Sequence, residues 1–363
     1  MKRMRWPQRL FVLLRDEIAQ LTTLKPHRRP WQMPLAAALA IGLPLLCGVF
    51  VGRLDLGLIA SLGGLVFLYL PETPLAHRMV TIMACAFGMV ACYALGAASH
   101  LVPMLLVPLL TIVAILVTMV CRVYRIGPPG SLFFIMVAAI GAYTPLQLAD
   151  FPQAVGLFAL GALGACLIAF FYSLIMLRTR APRRVEPLPR PTFDFVVFDA
   201  VLIGLAVGAS LALAQLLQLE KPYWAPVSCL AVVQAASLRE VWTKQLHRIL
   251  GTVLGLMMAG GVLLLPLGPW GVAWVMMVLA FVIEVLVVRH YGLAVVFITP
   301  LAILLAEAAA FGQLPVGELI QARFVDTVLG CAVGLGAGAC LHNERVRTSL
   351  GGWMLRMLRR AGG

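Results

Sequence analysis

Charge is what this sequence has least of. Only 12% of its 363 residues are charged, 62% are hydrophobic, and mean hydropathy is +0.98. A water-soluble chain of this size carries about a quarter of its residues as charge, so a soluble globular domain is excluded. Acidic residues are scarcer than basic ones, 15 against 28, which leaves a net charge of +13. The apolar-out alternation of a membrane β-barrel is absent. None of the eight cysteines forms a CxxC, so zinc-ribbon and thioredoxin-type chemistry are not indicated, and all read as small packing residues. The six histidines are scattered, so neither a metal site nor a cofactor is expected. No nucleophile–base pair stands out, which argues against an enzyme. A cleavable signal is not evident either: the apolar core Leu10–Leu14 is too short and runs into Arg15-Asp16-Glu17.

What the chain has in abundance is apolar runs, many close to the 20 residues that cross about 30 Å of hydrocarbon. Twelve are read, at about 31–51, 56–70, 79–99, 101–121, 131–146, 152–176, 194–218, 223–238, 249–266, 270–288, 293–311 and 324–341. The expected fold is an all-α polytopic membrane protein of about twelve transmembrane helices. Residues 1–30 read as an amphipathic cytoplasmic segment on the membrane surface. The first six-helix half covers 31–177, a Pro/Arg-rich cytoplasmic linker 178–192, and the second half 193–341. A basic amphipathic segment, 342–363, reads as a surface helix on anionic lipid. With the N-terminus placed in the cytoplasm, 25 of the 28 Lys and Arg fall on the cytoplasmic side. That is the positive-inside bias, and it puts both termini and the linker in the cytoplasm of a multi-pass inner-membrane protein. The same pattern accounts for the basic excess and removes the case for nucleic acid.

The halves repeat. His77-Arg78 and His247-Arg248 are 170 residues apart, Gln153-Ala154 and Gln321-Ala322 are 168 apart, and Tyr124 and Tyr291 are 167 apart. Six spans is an even number, so the halves should face the same way. Within them, Arg248-x-x-Gly-Thr-Val-Leu-Gly255 and Arg323-x-x-Asp-Thr-Val-Leu-Gly330 open runs three helices apart. An odd spacing implies inverted three-helix units, as in transporters built from such repeats. The alternative is that the motif simply starts a helix whose glycines allow close packing.

Three motifs carry a resemblance. They are Tyr223-Trp-Ala-Pro226 through Gln234 and on to Gly255, Arg289-His-Tyr-Gly through Thr299-Pro300, and Arg323-Phe-Val-Asp-Thr-Val-Leu-Gly330. In these the chain resembles the FUSC superfamily, the fusaric acid resistance and aromatic acid exporter proteins. The resemblance covers most of 194–341, while the first half matches only in hydropathy and in His77-Arg78. It implies inner-membrane efflux of aromatic carboxylates, energised by the proton gradient, with a periplasmic adaptor as partner. Plant malate channels look like distant relatives, so a passive anion channel stays open, as does a non-transporting envelope scaffold. Many relatives carry a large cytoplasmic domain, in place of which this chain has only its short linker. The partners expected are thus a small organic anion, membrane lipid, a periplasmic adaptor and, as an option, a second copy of the chain.

Two groups of residues are candidates for the chemistry. The second helix of each three-helix unit is short or interrupted, with Gly63-Gly64, Gly141 and Pro145, Pro226, and Thr299-Pro300. Such breaks point to a midplane site and offer half-helix N-termini to an anion, although Thr299-Pro300 also reads as a plain kink. The substrate-binding candidates are Arg78 and Arg248, which attract anions to a cavity mouth, Tyr223 and Tyr291 as stacking surfaces, and Gln234 and Thr299 as polar contacts. Topology, lipid headgroups and interface anchoring explain the arginines and tyrosines equally well. Ionisable groups inside spans cost at least a few kcal/mol each. That makes Glu284, Glu307 and Asp326, with Arg323, the proton-coupling candidates, since burial favours the protonated form of an acid. The alternatives are an i,i+3 pair between Arg323 and Asp326 and structural hydrogen bonds for the two glutamates.

Overall fold

The computed structural model describes residues 26, 29–144, 146–188, 192–307, 316–349 and 351, apart from the side chains of 100, 306, 307 and 316. Nearly all of segment 1–30, Pro145, part of the linker and residues 352–363 lie outside that description. Among the described residues all regular structure is helical. Twelve apolar α-helices follow one another: α1 (Gln32–Phe50), α2 (Leu54–Gly64, continued as a 3-10 turn over Leu65–Tyr69), α3 (Leu75–Ala98), α4 (Leu106–Val123), α5 (Leu132–Tyr143), α6 (Phe151–Leu177), α7 (Asp199–Leu216), α8 (Trp224–Val233), α9 (Leu238–Leu263), α10 (Pro269–Leu286), α11 (Tyr291–Glu307) and α12 (Val316–Leu341).

Eight of them are long and apolar enough to cross a membrane: α1, α3, α4, α6, α7, α9, α10 and α12. The other four are shorter. At 1.5 Å per residue the ten-residue α8 covers about 15 Å, half a hydrocarbon core. Backbone that stops at such a depth must be enclosed by protein, and it is. Nine of the ten residues of α8 are buried, and nine of the twelve in α5. Of the long helices, α4, α6, α9 and α10 turn Leu116, Leu160, Leu167, Met257 and Val278 outward, while α1 and α7 are more than half buried.

Two helix starts differ from the sequence expectation. The charged connector before the ninth apolar run is helical from Leu238, because Ser237 and Glu240 form an S-x-x-E cap. Ser237 Oγ accepts from the Glu240 N–H at 3.2 Å, and Glu240 Oε2 accepts from the Ala236 N–H at 2.9 Å. Arg248 therefore sits nearly three turns inside α9 rather than at its start. Likewise α12 begins at Val316, which places Arg323 and Asp326 two to three turns in. Of the expected interruptions, Pro226 lies in the first turn of α8, where a missing N–H costs nothing. Pro300 lies inside a continuous α11, and α2 alone changes its winding, at Gly64.

The packing follows a regular scheme. Helix α2 lies against α1 and α6, and α8 against α7 and α12. Helix α3 packs on α5 and α6, and α9 on α11 and α12. Helix α4 runs along α7, α10 runs along α1, α5 meets α8, and α11 meets α2. The main apolar core extends from Met33 to Leu305, and two smaller clusters, one around Val232, Val241 and Cys331 and one around Leu256, Ala259 and Ile303, lie beside it in the second half. Small residues set the closest crossings. A Cβ on Gly63 or Gly161 would strike backbone across the α2–α6 contact, and one on Gly330 would strike the Ala225 carbonyl across α8–α12. Without a hydrophobic drive between helices in lipid, such close backbone approach is what holds them.

Contacts at the two ends show that consecutive helices alternate in direction. At the linker end, Tyr69 Oη donates to the Gly130 carbonyl at 2.7 Å, and Arg183 Nε meets Glu72 at 2.9 Å. At the opposite end, Gln215 Nε2 donates to Tyr143 Oη at 2.7 Å.

The α4–α7 and α10–α1 seams each close with an ion pair at the linker end. Arg122 Nη1, near the end of α4, lies 2.6 Å from Asp199 Oδ2 at the start of α7, with Arg347 Nη2 3.3 Å from Oδ1. Glu284 Oε2, near the end of α10, lies 3.0 Å from Arg29 Nη1 just ahead of α1. The signs are exchanged between the seams. Removing one member of a mostly buried pair leaves the other uncompensated, at a cost of roughly 3 kcal/mol. Arg29→Glu should therefore lower the thermal midpoint of the detergent-solubilised protein by several degrees, and adding Glu284→Arg should recover most of the loss.

Candidate functional site

The middle of the second half holds charge where the sequence is otherwise oily. Arg323 and Asp326, one turn apart on α12, are almost fully enclosed, with residue exposures of 2% and 0%. The helix brings both to the buried N-terminal turn of α8, because Gly330 and Gly334 let the two backbones touch. The Arg323 guanidinium lies flat against Trp224, 3.5 Å from the ring centroid. Arg248 approaches from α9 and places Nη2 3.4 Å from Ser228 Oγ. Tyr223 stacks at a tilt on Trp224 and on Tyr143 of α5, with centroids 5.0 and 5.7 Å apart.

The polar atoms of this cluster are poorly served. Among the described residues neither carboxylate oxygen of Asp326 has a hydrogen-bond partner, nor do Nε and Nη1 of Arg323 or Nε of Arg248. The i,i+3 pairing of Arg323 with Asp326 is not made. Buried ions are ordinarily paired and hydrogen-bonded, because each open donor or acceptor carries a desolvation penalty of a few kcal/mol. Two guanidiniums and one carboxylate leave one positive charge over. That charge lies beside the three aromatic rings Trp224, Tyr223 and Tyr143.

The other candidates fall elsewhere. Gln234, at the linker end of α8, donates from Nε2 to Ser131 Oγ at 2.5 Å, which ties α8 to α5. Tyr291 lies at the start of α11 beside His247, with centroids 6.4 Å apart. Thr299 Oγ1 donates to the Val295 carbonyl in its own helix at 2.9 Å. Arg78 is buried at the linker end of the first half, where Nε donates to the Thr73 carbonyl at 2.6 Å. Glu284 is engaged by Arg29. Glu307 ends α11, and its side chain lies outside the described residues. Tyr143, Ser228 and Gln215 had no sequence signal, since a single hydroxyl or amide in an apolar run looks like any other. Among the described residues no group of three His, Cys, Asp or Glu is placed to hold a metal.

Comparison with known proteins agrees with the motifs. Residues 205–337 match the family described as fusaric acid resistance protein-like. An uncharacterized membrane protein of Bacillus subtilis, YvaC, is 30% identical over 149 residues, which cover 40% of this chain and 24% of YvaC. The chain thus spans about a quarter of the length of the curated relative it matches. No solved structure matches. The matched residues contain Tyr223–Val233, Arg248, Arg323 and Asp326, so the likeness to the fusaric acid resistance protein-like family is carried by the second half of the chain.

Proposed function

We propose that the protein exports organic anions, aromatic carboxylates foremost, across the bacterial inner membrane, with both termini in the cytoplasm and with coupling to the proton gradient. The observation that carries this reading is the enclosed Arg323–Trp224–Asp326 cluster with its open donors and acceptors. Ions kept unpaired inside a bilayer protein are a standing cost. They are retained where a partner comes and goes. A substrate carboxylate is such a partner for Arg323 and Arg248, and a proton is such a partner for Asp326. Trp224, Tyr223 and Tyr143 supply the flat surface for an aromatic body.

The motion proposed is alternating access between two six-helix halves, residues 31–177 and 193–341, each composed of inverted three-helix units. Its support is the packing scheme. Apart from α3–α4, the helix pairs of the first half have counterparts six helices on, and the α4–α7 seam has its counterpart in α10–α1. The short helices α2, α5, α8 and α11 then lie along the solute path. Glu307 and Glu284 are secondary proton sites in this scheme, and a periplasmic adaptor completes the route outward.

Everted membrane vesicles containing the protein should take up labelled benzoate in a way that depends on an imposed proton gradient of one sign. Asp326→Asn should remove the gradient dependence, and Trp224→Ala should reduce uptake at least tenfold. Unchanged uptake in both variants sinks the reading. Currents across a planar bilayer that reverse at the benzoate equilibrium potential, with no proton requirement, would favour a passive channel instead.

A further inference from the structure

A second anion site is built into the other half of the molecule. At the linker end of α2, α3 and α6 there is a cavity of about 240 Å³, and one wall of it is the linker itself. The wall is held in place by Glu72 and Arg183. The Arg183 N–H donates to the Glu72 carbonyl at 2.9 Å, and its Nε meets the Glu72 carboxylate at 2.9 Å. That pair is neutral. Two further guanidiniums line the space without an acidic partner among the described residues, Arg78 and Arg180. Arg78 is 6% exposed. Its Nε is used by the Thr73 carbonyl at 2.6 Å and its Nη1 by Ser173 Oγ at 3.4 Å. Among the described residues no acceptor is found for Nη2. The remaining lining is apolar or aromatic, with Tyr172, Met176 and Leu70.

From this geometry we infer that the cavity binds an oxyanion, carboxylate or phosphate, carried on an apolar or aromatic stem. Arg78 and Arg180 grip the charged group, and Tyr172 with Met176 covers the stem. The fork of a buried arginine is suited to planar oxyanions, and the fixed rotamer of Arg78 spares the ordering that a surface arginine would lose. The site is separate from the Trp224 cluster, and because the linker forms its wall, an occupant also ties the linker to the first half. Two sources can supply such a ligand, an anionic phospholipid or a soluble aromatic acid.

The test reads the cavity locally. With exposed Cys47 and Cys340 replaced by serine, Ala181→Cys places a thiol in the cavity wall for labelling by a water-soluble maleimide. Protein in neutral phosphatidylcholine nanodiscs should label at least fivefold more slowly with millimolar benzoate if the source is soluble. It should label more slowly on adding phosphatidylglycerol if the source is lipid. Arg180→Ala, an exposed change that spares folding, should abolish whichever protection is found, and Arg78→Gln should do the same. Trp224→Ala should leave the protection intact while it removes transport, which separates this site from the proposed solute path. Labelling unaffected by both probes, or protection that survives both arginine changes, overturns the inference.

Discussion

Arg323→Gln should abolish benzoate uptake, and Arg323→Lys should restore only a small part of it. The guanidinium does two things at once. It lies flat on Trp224, 3.5 Å from the ring centroid, and it presents Nε and Nη1 to whatever enters. A lysine keeps the charge but neither the planar stacking nor the fork of donors, and the cation–π contact alone is worth about 1–2 kcal/mol in a desolvated site. Arg323→Gln also withdraws the nearest counter-charge from Asp326, whose residue exposure is 0%. Breaking a buried charge combination in this way costs roughly 3 kcal/mol, so the amount of folded protein should fall. Adding Asp326→Asn removes the stranded carboxylate and should return the folded amount close to that of the parent. It should not return transport. If the double variant recovers uptake along with stability, the two residues form a structural unit and the site assignment fails.

Gly330→Val and Gly161→Val should prevent assembly of the helix bundle. At both positions the Cβ alone would meet a carbonyl oxygen of the facing helix, Ala225 in one case and Ala60 in the other. Backbone cannot move aside as a flexible side chain can, so α8 and α12, or α2 and α6, would have to separate. Overpacking commonly costs 1–3 kcal/mol, and forcing backbone apart at the core of the bundle should fall at the upper end, roughly 3 kcal/mol or more. The controls are Gly164→Val and Gly336→Val, where a Cβ meets nothing within 4 Å. These should shift the thermal midpoint by no more than about 2 °C, since surface changes remain within about 0.5 kcal/mol. Equal tolerance of all four substitutions by size-exclusion and thermal-melt measurements would show that the crossings are looser than described.

Helix identity was readable because hydrocarbon imposes it. An apolar run in lipid has no alternative to internal hydrogen bonding, so each run holds a helix among the described residues, although only eight of these are long and apolar enough to cross a membrane. Helix boundaries were less readable. Arg239–His247 looked like a connector on charge alone, yet the Ser237–Glu240 cap starts α9 there. The cap is present in the sequence as S-x-x-E over Ser237–Glu240. The shortness of α8 and α5 was visible as breaks, but the breaks were only partly the cause, since Pro226 sits harmlessly in a first turn.

The sequence by itself determined the all-helical membrane class of the molecule and the placement of Trp224, Arg248, Arg323 and Asp326 among apolar neighbours, because composition and hydropathy act locally along the chain. Only the tertiary structure decided which of these residues meet. Arg323 faces Trp224 rather than Asp326, Glu284 is taken by Arg29, and Arg78 belongs to a cavity walled by the linker. Those outcomes depend on which small residues let which helices touch. That choice is settled by the packing of distant segments against one another, and no local pattern encodes it.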